Sequence, residues 1–330
     1  MAFGENGLEN LGFGKMDQPT TVFRDQIRTA VFCSQTLYRL CRKNEVITLR
    51  IYIVIPAHNE DQHIAKTMES LVQQQLKPAQ LVVVNDHSSD DTLKIANEYA
   101  QKYSWIKVVE KKSTDDHLPG AKVIEAFYKG YETINEHFDV LCKFDADLIF
   151  EKDYLFKIAQ HFQSDSSLGM VAGTCYIQQE NQWVEENLNQ RDHIRGALKA
   201  YRKECFAEIG KIKKSIGWDT LDELLAKYHG WKTLVDPSLK VKHLKPTGHH
   251  YSPGAAILQG VATYKMRLGI VLTLLIGAKR AWVKQNPKIL MSYLRGFRQA
   301  QKEGVDFMVD SDQGKFLRRH RWKGILRRFK

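Results

Sequence analysis

The stretch VVVNDHSSDDT, Val82–Thr92, joins an apolar strand to the start of a helix. Its β-branched run is typical of a strand that is covered on both faces in a parallel sheet. Asp86 stands where the strand ends, so its carboxylate can accept hydrogen bonds from a ligand. His87 is expected to be a turn residue. One of three side chains is expected to cap the helix that begins near Asp91: Ser88, Ser89 or Asp90.

Runs of the same kind recur along the chain and alternate with segments of helical spacing. One helical pattern runs through Ile64, Met68, Leu71 and Val72, and another starts at Thr92. This alternation predicts an α/β fold in which a mostly parallel sheet is flanked by helices. The runs that predict its strands are Ile51–Ile55, Leu81–Val84, Ile106–Val109, Val140–Phe144 and Met170–Ala172.

Polar clusters follow three of these strands directly. They are PAHNE at Pro56–Glu60, NDHSSDD at Asn85–Asp91 and DAD at Asp145–Asp147. Because ligands bind beyond the carboxyl ends of parallel strands, the three clusters are expected to meet at one site. Neither GxGxxG nor GxxxxGK[ST] follows a strand, so the sequence predicts neither a Rossmann dinucleotide site nor a P-loop.

Asp145 and Asp147 are two carboxylates at i and i+2 beside a strand end. Such a pair can hold a hard divalent cation, Mg²⁺ or Mn²⁺, which keeps waters and binds substrate phosphates. A cation there would stabilise a diphosphate leaving group as a Lewis acid. Because a DxD is also common in solvated turns, the inference depends on the strand before it and on the neighbouring clusters.

A further constellation lies in the segment Gly217–Pro246. Asp219, Asp222 and Glu223 open a helix, and acids in a first turn can simply complement the helix dipole. Asp219 comes first, so its carboxylate could face a pocket instead. His243 ends a short strand-like run and is either structural or a ligand.

The net charge of +11 belongs to the last quarter of the chain. Residues 254–330 hold 17 Lys/Arg and 4 Asp/Glu, whereas residues 1–253 hold 32 and 34. This distribution does not indicate a nucleic-acid binder, so no nucleic-acid partner is expected. The five cysteines lack CxxC spacing, which favours reduced thiols in the cytoplasm. The N-terminus lacks the apolar stretch of a secretory signal.

Three regions are predicted. Residues 1–48 form an extension that is partly disordered or contains a short helix, at about Val22–Arg42. Residues 49–253 form the α/β domain that carries the polar clusters. Residues 254–330 form a basic, amphipathic helical region.

The basic region is predicted to associate with a membrane surface without crossing it. Its longest apolar stretch, Leu268–Ala278, has eleven residues, whereas a span needs about 20. The last segment, Lys315–Lys330, sets four apolar side chains at helical spacing among cations: Trp322, Ile325, Leu326 and Phe329. This pattern indicates an interfacial helix on anionic lipids. The alternatives are a basic helix packed on the α/β domain and nucleic-acid binding, although no base-reading module is visible.

From about Ile51 to Pro246 the chain resembles the large family 2 of inverting glycosyltransferases, which have the GT-A fold. Its IPAxNE and VDDGSxDxT motifs are similar to Ile55–Glu60 and Val84–Thr92, and its DxD to Asp145–Asp147. Its ED motif, before a helix that ends in GW, resembles Trp218-Asp219 ahead of Gly230-Trp231. Its VxH resembles Val241-Lys242-His243. The order of the motifs and their strand contexts agree.

The resemblance implies a metal-dependent enzyme that moves a sugar, with inversion, from a nucleoside-diphosphate sugar to an acceptor hydroxyl. Asp219 would be the general base. Asp147 would bind Mg²⁺ or Mn²⁺ directly, and His243 would be a further ligand or a diphosphate contact. The donor would be held by Pro56, Ala57, Glu60, Asp86, Asp145 and, in a loop that resembles PGAK of the family, Lys122.

Three residues depart from the family pattern. Asn85 replaces the first Asp of DDGS, His87 replaces its Gly, and Trp218 replaces the Glu of ED. The departures leave open a non-catalytic peripheral membrane scaffold with a degenerate transferase domain. A nucleotidyltransferase would instead need a GGxGTR loop where Pro56–Glu60 stands.

The QxxRW motif of processive synthases is not found after Gly230, which predicts the addition of one sugar per event. The expected partners are the nucleotide sugar, a lipid-linked or surface glycan as acceptor, and an anionic membrane surface. The expected location is cytoplasmic, peripheral on the inner face of the cell membrane.

Overall fold

Apolar runs followed by polar turns build the strands of the sheet. The computed structural model describes residues 47–112, 120–135, 137–186, 192–245 and 253–327. The strands are β1 (Ile51–Ala57), β2 (Gln80–Asp86), β3 (Ile106–Lys111), β4 (Val140–Phe144), β5 (Leu148–Phe150), β6 (Leu168–Gln179), β7 (Gln182–Glu185), β8 (Leu198–Arg202) and β9 (Lys232–His243). In the described residues they form one sheet in the order β3-β2-β1-β4-β8-β6-β9-β5, with β7 beside β6.

Ten helices are described, and those before residue 230 flank the sheet. The first two helices have the apolar face that the sequence predicts, and that face packs against the sheet or against the other of the two helices. The helices are α1 (Ile64–Val72), α2 (Thr92–Lys102), α3 (Ala121–Tyr131), α4 (Tyr154–Ser164), α5 (Lys203–Glu208), α6 (Trp218–Tyr228), α7 (Pro253–Lys265), α8 (Gly269–Val283), α9 (Lys288–Lys302) and α10 (Ser311–Leu326).

The sheet has a parallel half and a mixed half. Strands β3, β2, β1 and β4 are parallel, and every residue of β1 and β2 is buried because helices cover both faces. Beyond β4, strand β8 is antiparallel to β4 and β6, and β5 is antiparallel to β9. The predicted α/β fold with flanking helices is confirmed, and β7 and β8 are additions that the sequence did not predict.

The helical C-terminal region is also confirmed. Side chains from it join the main core, among them Met266, Leu268, Leu272 and Leu317. No helix in the described ranges is both long and apolar enough to span a membrane. The division of the chain at residues 48 and 253 stays a prediction, and the predicted helix at Val22–Arg42 lies outside the described residues.

The segment predicted as an interfacial helix corresponds to α10. Its four predicted apolar positions do not share one exposed face. Ile325 packs against the core, Trp322 and Leu326 are exposed, and Phe329 lies outside the described residues. On the inner side of α10, Phe316 contacts the ring of Tyr228 in α6 with the centroids 5.5 Å apart. Because α10 packs on α6 and on the core, only part of its apolar surface is exposed.

Candidate active site

The turns after β1 and β2 are joined by hydrogen bonds. The Glu60 N–H donates to Thr92 Oγ1 at 2.7 Å, and the Asp61 N–H donates to Asp90 Oδ2 at 3.1 Å. The other oxygen of Asp90 accepts the Thr92 N–H at 3.0 Å. Of the three predicted capping residues, Asp90 therefore binds the first backbone N–H of α2, whereas the N-cap position is held by Asp91, which makes no side-chain cap bond. The two polar clusters are held as one rim at the edge of the sheet.

The end of β2 presents Asp86 to this rim. Its Oδ1 lies 3.2 Å from Lys111 Nζ, so a cation on β3 orients the carboxylate. Asn85 is buried, and its Oδ1 has no hydrogen-bond partner among the described residues. His87 is the turn residue that the sequence predicts, with φ of 55°. This is the left-handed region that favours glycine, which explains why a Gly stands there in the family motif.

The DxD turn is fixed by α1 and by the end of β9. Thr67 Oγ1 donates to Ala146 O at 2.7 Å and accepts the Leu148 N–H at 3.0 Å. The Leu244 N–H donates to Asp147 O at 2.9 Å. A buried hydroxyl and the strand that carries His243 therefore set the position of both carboxylates.

Asp147 and His243 lie side by side in the interior of this turn. His243 Nε2 is 3.4 Å from Asp147 Oδ2, and Nδ1 is 3.1 Å from Glu186 Oε2. Glu186 in turn pairs with Arg195. Burial opposes a charge on the imidazole, but the hydrogen bonds that the ring donates to Asp147 and Glu186 outweigh it and raise the pKa of His243 to about 9.

This donor set fits a divalent cation. A metal-bound histidine normally gives its second nitrogen to a carboxylate, and Glu186 occupies that position. A carboxylate oxygen suits Mg²⁺ or Mn²⁺. Cys175 Sγ lies within 4.8 Å of ligand atoms of Glu186 and His243. The residues that could hold a cation are therefore Asp147 and His243, with Glu186 orienting the ring and Cys175 beside it.

Glu60 lies within electrostatic reach of the DxD. Burial raises the pKa of its carboxyl group, the Lys245 ammonium lowers it, and the charges of Asp147 and Asp145 raise it further. Glu60 Oε2 is 2.6 Å from Lys245 Nζ. Lys245, which the sequence did not single out, adds a cation at the edge where phosphates are expected.

Asp219 is the second residue of α6, after Gly217 at the N-cap position and Trp218. Its Oδ1 accepts the Thr220 N–H at 3.0 Å, and its backbone oxygen accepts from Lys199 Nζ at 2.6 Å. The side chain is 35% exposed, so it can reach a substrate. Burial raises its pKa, but the hydrogen bond with His193 and the charge of Lys199 have a larger, opposite effect. The net pKa is therefore lowered, and the carboxylate stays ionised.

His193 connects Asp219 to Glu223. Its Nε2 is 3.6 Å from Asp219 Oδ2, and its Nδ1 is 2.8 Å from Glu223 Oε2. Burial lowers the pKa of the ring, but the two carboxylates raise it to about 9. Burial likewise opposes ionisation of Glu223, yet His193 and Lys227 bring its pKa to about 2. The imidazole is therefore a cation that lies between the carboxylates of Asp219 and Glu223.

Asp222 and Glu223 do not serve as solvated first-turn acids, the simpler of the two predicted interpretations. Asp222 Oδ1 is 2.7 Å from Lys199 Nζ, and both groups are buried. Burial raises the pKa of Asp222 to about 6. These pairs fix α6 against β8 because an unpaired buried charge would be costly.

One short segment brings the DxD and Asp219 together. The Asp145 N–H donates to Ala197 O at 3.1 Å, and Gly196 O accepts from Lys143 Nζ at 3.0 Å. A Cβ on Gly196 would lie 3.4 Å from the Cβ of Asp219. The two predicted halves of the site are thus neighbours, one on each side of this backbone.

Two buried lysines lie next to this junction, on neighbouring strands. Lys143 on β4 pairs with Asp145, and Lys199 is its neighbour on β8. Their Nζ atoms lie 5.4 and 5.5 Å from the Trp218 ring. Neither lysine was predicted from the sequence, although a charged residue inside an apolar strand indicates a buried partner.

The remaining predicted donor contacts flank the same edge. Pro56 and Ala57 are the last residues of β1 and are buried, beside Val84 and Asn85 of β2. Lys122 is half-buried in the first turn of α3. That turn lies against the segment before α6, since a Cβ on Gly120 would be 3.0 Å from Ile216 Cα.

Replacing His193 with Gln should remove a pH-dependent part of the stability. The folded pKa of about 9 exceeds the ordinary value of 6.5. The stabilisation is therefore complete below pH 6.5 and is lost as the pH rises through about 9. Between pH 6.5 and about 9, the free energy of urea unfolding should fall by on the order of 2 kcal/mol more for the wild type than for the variant. Parallel pH profiles for the two proteins would contradict the cationic ring.

The comparisons with known proteins agree with this geometry. The model of the family described as "Glycosyl transferase family 2" matches residues 52–217. A probable glycosyltransferase of Bacillus subtilis, YdaM, is 34% identical over 134 residues, which are 40% of this chain and 31% of that protein. An uncharacterized glycosyltransferase of Mycoplasma genitalium, MG025, is 28% identical over 178 residues, 50% of this chain and 57% of its own. The matches thus span about a third to a little over half of these relatives.

Two solved structures share the fold. TarS 1-349 of S. aureus in complex with UDP-GlcNAc superposes with a TM-score of 0.51 at 18% identity, over 64% of this chain and 65% of that one. The mannosyltransferase PcManGT of Pyrobaculum calidifontis, in complex with GDP-Man and Mn²⁺, gives 0.51 at 15% identity, over 91% and 90%. The second match includes the C-terminal helices, and both indicate the GT-A architecture.

Proposed function

Because the chain belongs to glycosyl transferase family 2, we propose that it moves one sugar per event from a nucleoside-diphosphate sugar to an acceptor hydroxyl. The transfer is metal-dependent and inverts the anomeric centre. The observation that carries the proposal is the junction at Gly196–Ala197, where a DxD carboxylate and an open, ionised Asp219 are neighbours.

The donor lies across the rim formed by the ends of β1, β2 and β4. Asp86 accepts hydrogen bonds from the base or the ribose, and the buried Oδ1 of Asn85 beside it has no hydrogen-bond partner among the described residues. The diphosphate is held near Asp145 and Asp147, where Lys245 supplies a positive charge. Asn85 thus retains an acceptor where the family has an acid.

Asp147 and His243 would hold the cation, Mg²⁺ or Mn²⁺, and Glu186 would keep the imidazole oriented. When bound, the cation would supply Lewis-acid stabilisation of the leaving diphosphate.

Asp219 accepts the proton of the acceptor hydroxyl while the acceptor oxygen bonds to the anomeric carbon. The bond from that carbon to the diphosphate oxygen breaks on the opposite face, and the electron pair leaves with the nucleotide. One base and no covalent nucleophile give inversion. His193 and Lys199 keep Asp219 ionised before the proton arrives.

The acceptor is a lipid-linked or surface glycan, and the protein is cytoplasmic and peripheral on the inner face of the cell membrane. The support for this part is the balance of 17 Lys/Arg against 4 Asp/Glu over residues 254–330, which favours an anionic surface. Among the curated relatives, one is a poly(ribitol-phosphate) beta-glucosyltransferase of Bacillus spizizenii, 35% identical over 75 residues, which are 22% of this chain and 12% of that protein.

A donor panel tests the transferase directly. The full-length protein is incubated with UDP- and GDP-sugars, with Mn²⁺ or with EDTA, and the released nucleoside diphosphate is measured. We expect Mn²⁺-dependent release from at least one donor. Binding of donors without any release, with or without acceptor extracts, would favour the non-catalytic scaffold instead.

A further inference from the structure

Helix α8 presents an unusual apolar face to solvent. Exposed fractions along it run from 37% at Ile270 to 78% at Trp282. The inward side of the helix is formed by Leu272, Thr273 and Gly277. The exposed positions follow i, i+1, i+4, i+5 and i+12, so they lie in one stripe. This stripe, the α8 face, consists of Ile270, Val271, Leu274, Leu275 and Trp282.

The charges around the α8 face have one sign. Exposed cations stand at its C-terminal end, at Lys279, Arg280 and Lys284. From Pro253 to Lys302 the chain has nine Lys/Arg and no Asp or Glu. A soluble face would normally mix both signs. An apolar stripe with cations at its border is complementary to acyl chains below anionic headgroups.

The turn before α8 lies close to the start of α6, the helix that carries Asp219. Met266, three residues before α8, packs against Gly217, where an added Cβ would be 3.3 Å from Met266 Cε. Gly217 directly precedes α6, which carries Asp219. The corner between α7 and α8 is fixed, since the Arg267 guanidinium stacks on Phe307 at 3.5 Å and its Nε donates to Val309 O.

We propose that the α8 face inserts into the interfacial layer of an anionic phospholipid bilayer. The apolar stripe lies among the upper acyl chains, Trp282 lies at the headgroup level, and the three cations contact the headgroups. Asp219 then faces the hydroxyl of an amphiphilic acceptor held in the same bilayer. Only this last placement rests on the proposed transferase function, because membrane binding does not require catalysis.

The insertion is tested by flotation of the full-length protein with vesicles of phosphatidylcholine, with and without about one third phosphatidylglycerol. The wild type should float with the anionic vesicles. The double variant Val271→Glu, Leu275→Glu should lose about tenfold of the bound-to-free ratio, because charges enter the apolar layer. Met291→Glu is the matched control: Met291 is 66% exposed on α9, outside the α8 face, and this variant should float like the wild type.

Two further measurements on the same samples, nucleoside diphosphate release and oligomeric state, distinguish the possible outcomes. Nucleoside diphosphate release should be equal in all three proteins, so a failed transferase would not resemble a failed membrane site. Failure of the wild type to float, or equal flotation of the double variant, would overturn the proposal. So would a wild-type dimer that the double variant converts to a monomer, since the occupant would then be a second copy.

Tryptophan fluorescence distinguishes α8 from α10. Addition of anionic vesicles should shift the emission of the wild type to shorter wavelength. Trp282→Phe should remove most of the shift, whereas Trp322→Phe on α10 should retain it. The reverse result would assign insertion to α10 and would overturn the role of the α8 face. A deletion of the C-terminal helices is not a suitable test, because Leu268, Leu272 and Leu317 belong to the core.

Discussion

Asp219→Asn should lower the rate of transfer about a thousandfold, within the range that a general base contributes. The amide cannot accept the proton of the acceptor hydroxyl, yet its size and its hydrogen bond from Thr220 are retained. Donor affinity should therefore change by no more than about twofold, since the lost interaction is made only in the transition state. The measurement is kcat from nucleotide release, together with a calorimetric Kd for the donor in Mn²⁺.

Asp91→Asn is the matched control for this prediction. Asp91 is an exposed carboxylate at the start of α2, and it makes no side-chain cap bond. Its variant should keep the wild-type rate. Turnover of Asp219→Asn near that rate would mean that another group is the base. A parallel loss of donor binding would mean that Asp219 belongs to the donor site.

Asp147→Ala should weaken donor binding in Mn²⁺ about a hundredfold, because a direct ligand of the cation is removed. The fold around it should survive, since Leu244 bonds the backbone oxygen of Asp147 and not its side chain. Calorimetry with Mn²⁺ and with EDTA separates the two effects. In EDTA the wild type and the variant should bind the donor equally weakly.

Asp153→Ala is the matched control, because it removes a carboxylate at a nearby position in the sequence. Asp153 forms an i,i+4 pair with Lys157 at 2.7 Å and takes no part in the site. Its variant should bind the donor like the wild type. Unchanged Mn²⁺-dependent affinity of Asp147→Ala would remove the metal role from this residue.

The sequence was sufficient where local patterns determine the structure. The parallel strands are continuous apolar runs, and the polar clusters that follow them do meet at one edge, through bonds such as Glu60 to Thr92. Asp90, one of the three predicted capping residues, bonds the first N–H of α2, a contact that depends on residues only two positions apart. The N-cap position itself is Asp91, one residue later than predicted.

The sequence was insufficient where long-range pairing determines the structure. Lys199 and Asp222 are 23 positions apart, and His193 comes from a stretch without strand or helix periodicity. Nothing in their spacing predicts that they surround Asp219. Helix α10 shows the same limit, because Ile325, one of the evenly spaced apolar positions, packs against the core.

The anomeric proton reports directly on inverting transfer from a nucleotide sugar. Proton NMR can follow an α-linked donor in the first minutes after the full-length protein and Mn²⁺ are added, with water as the acceptor. We expect the β anomer of the free sugar to appear first and EDTA to prevent its formation. Initial release of the α anomer, or equal release in EDTA, would contradict this expectation.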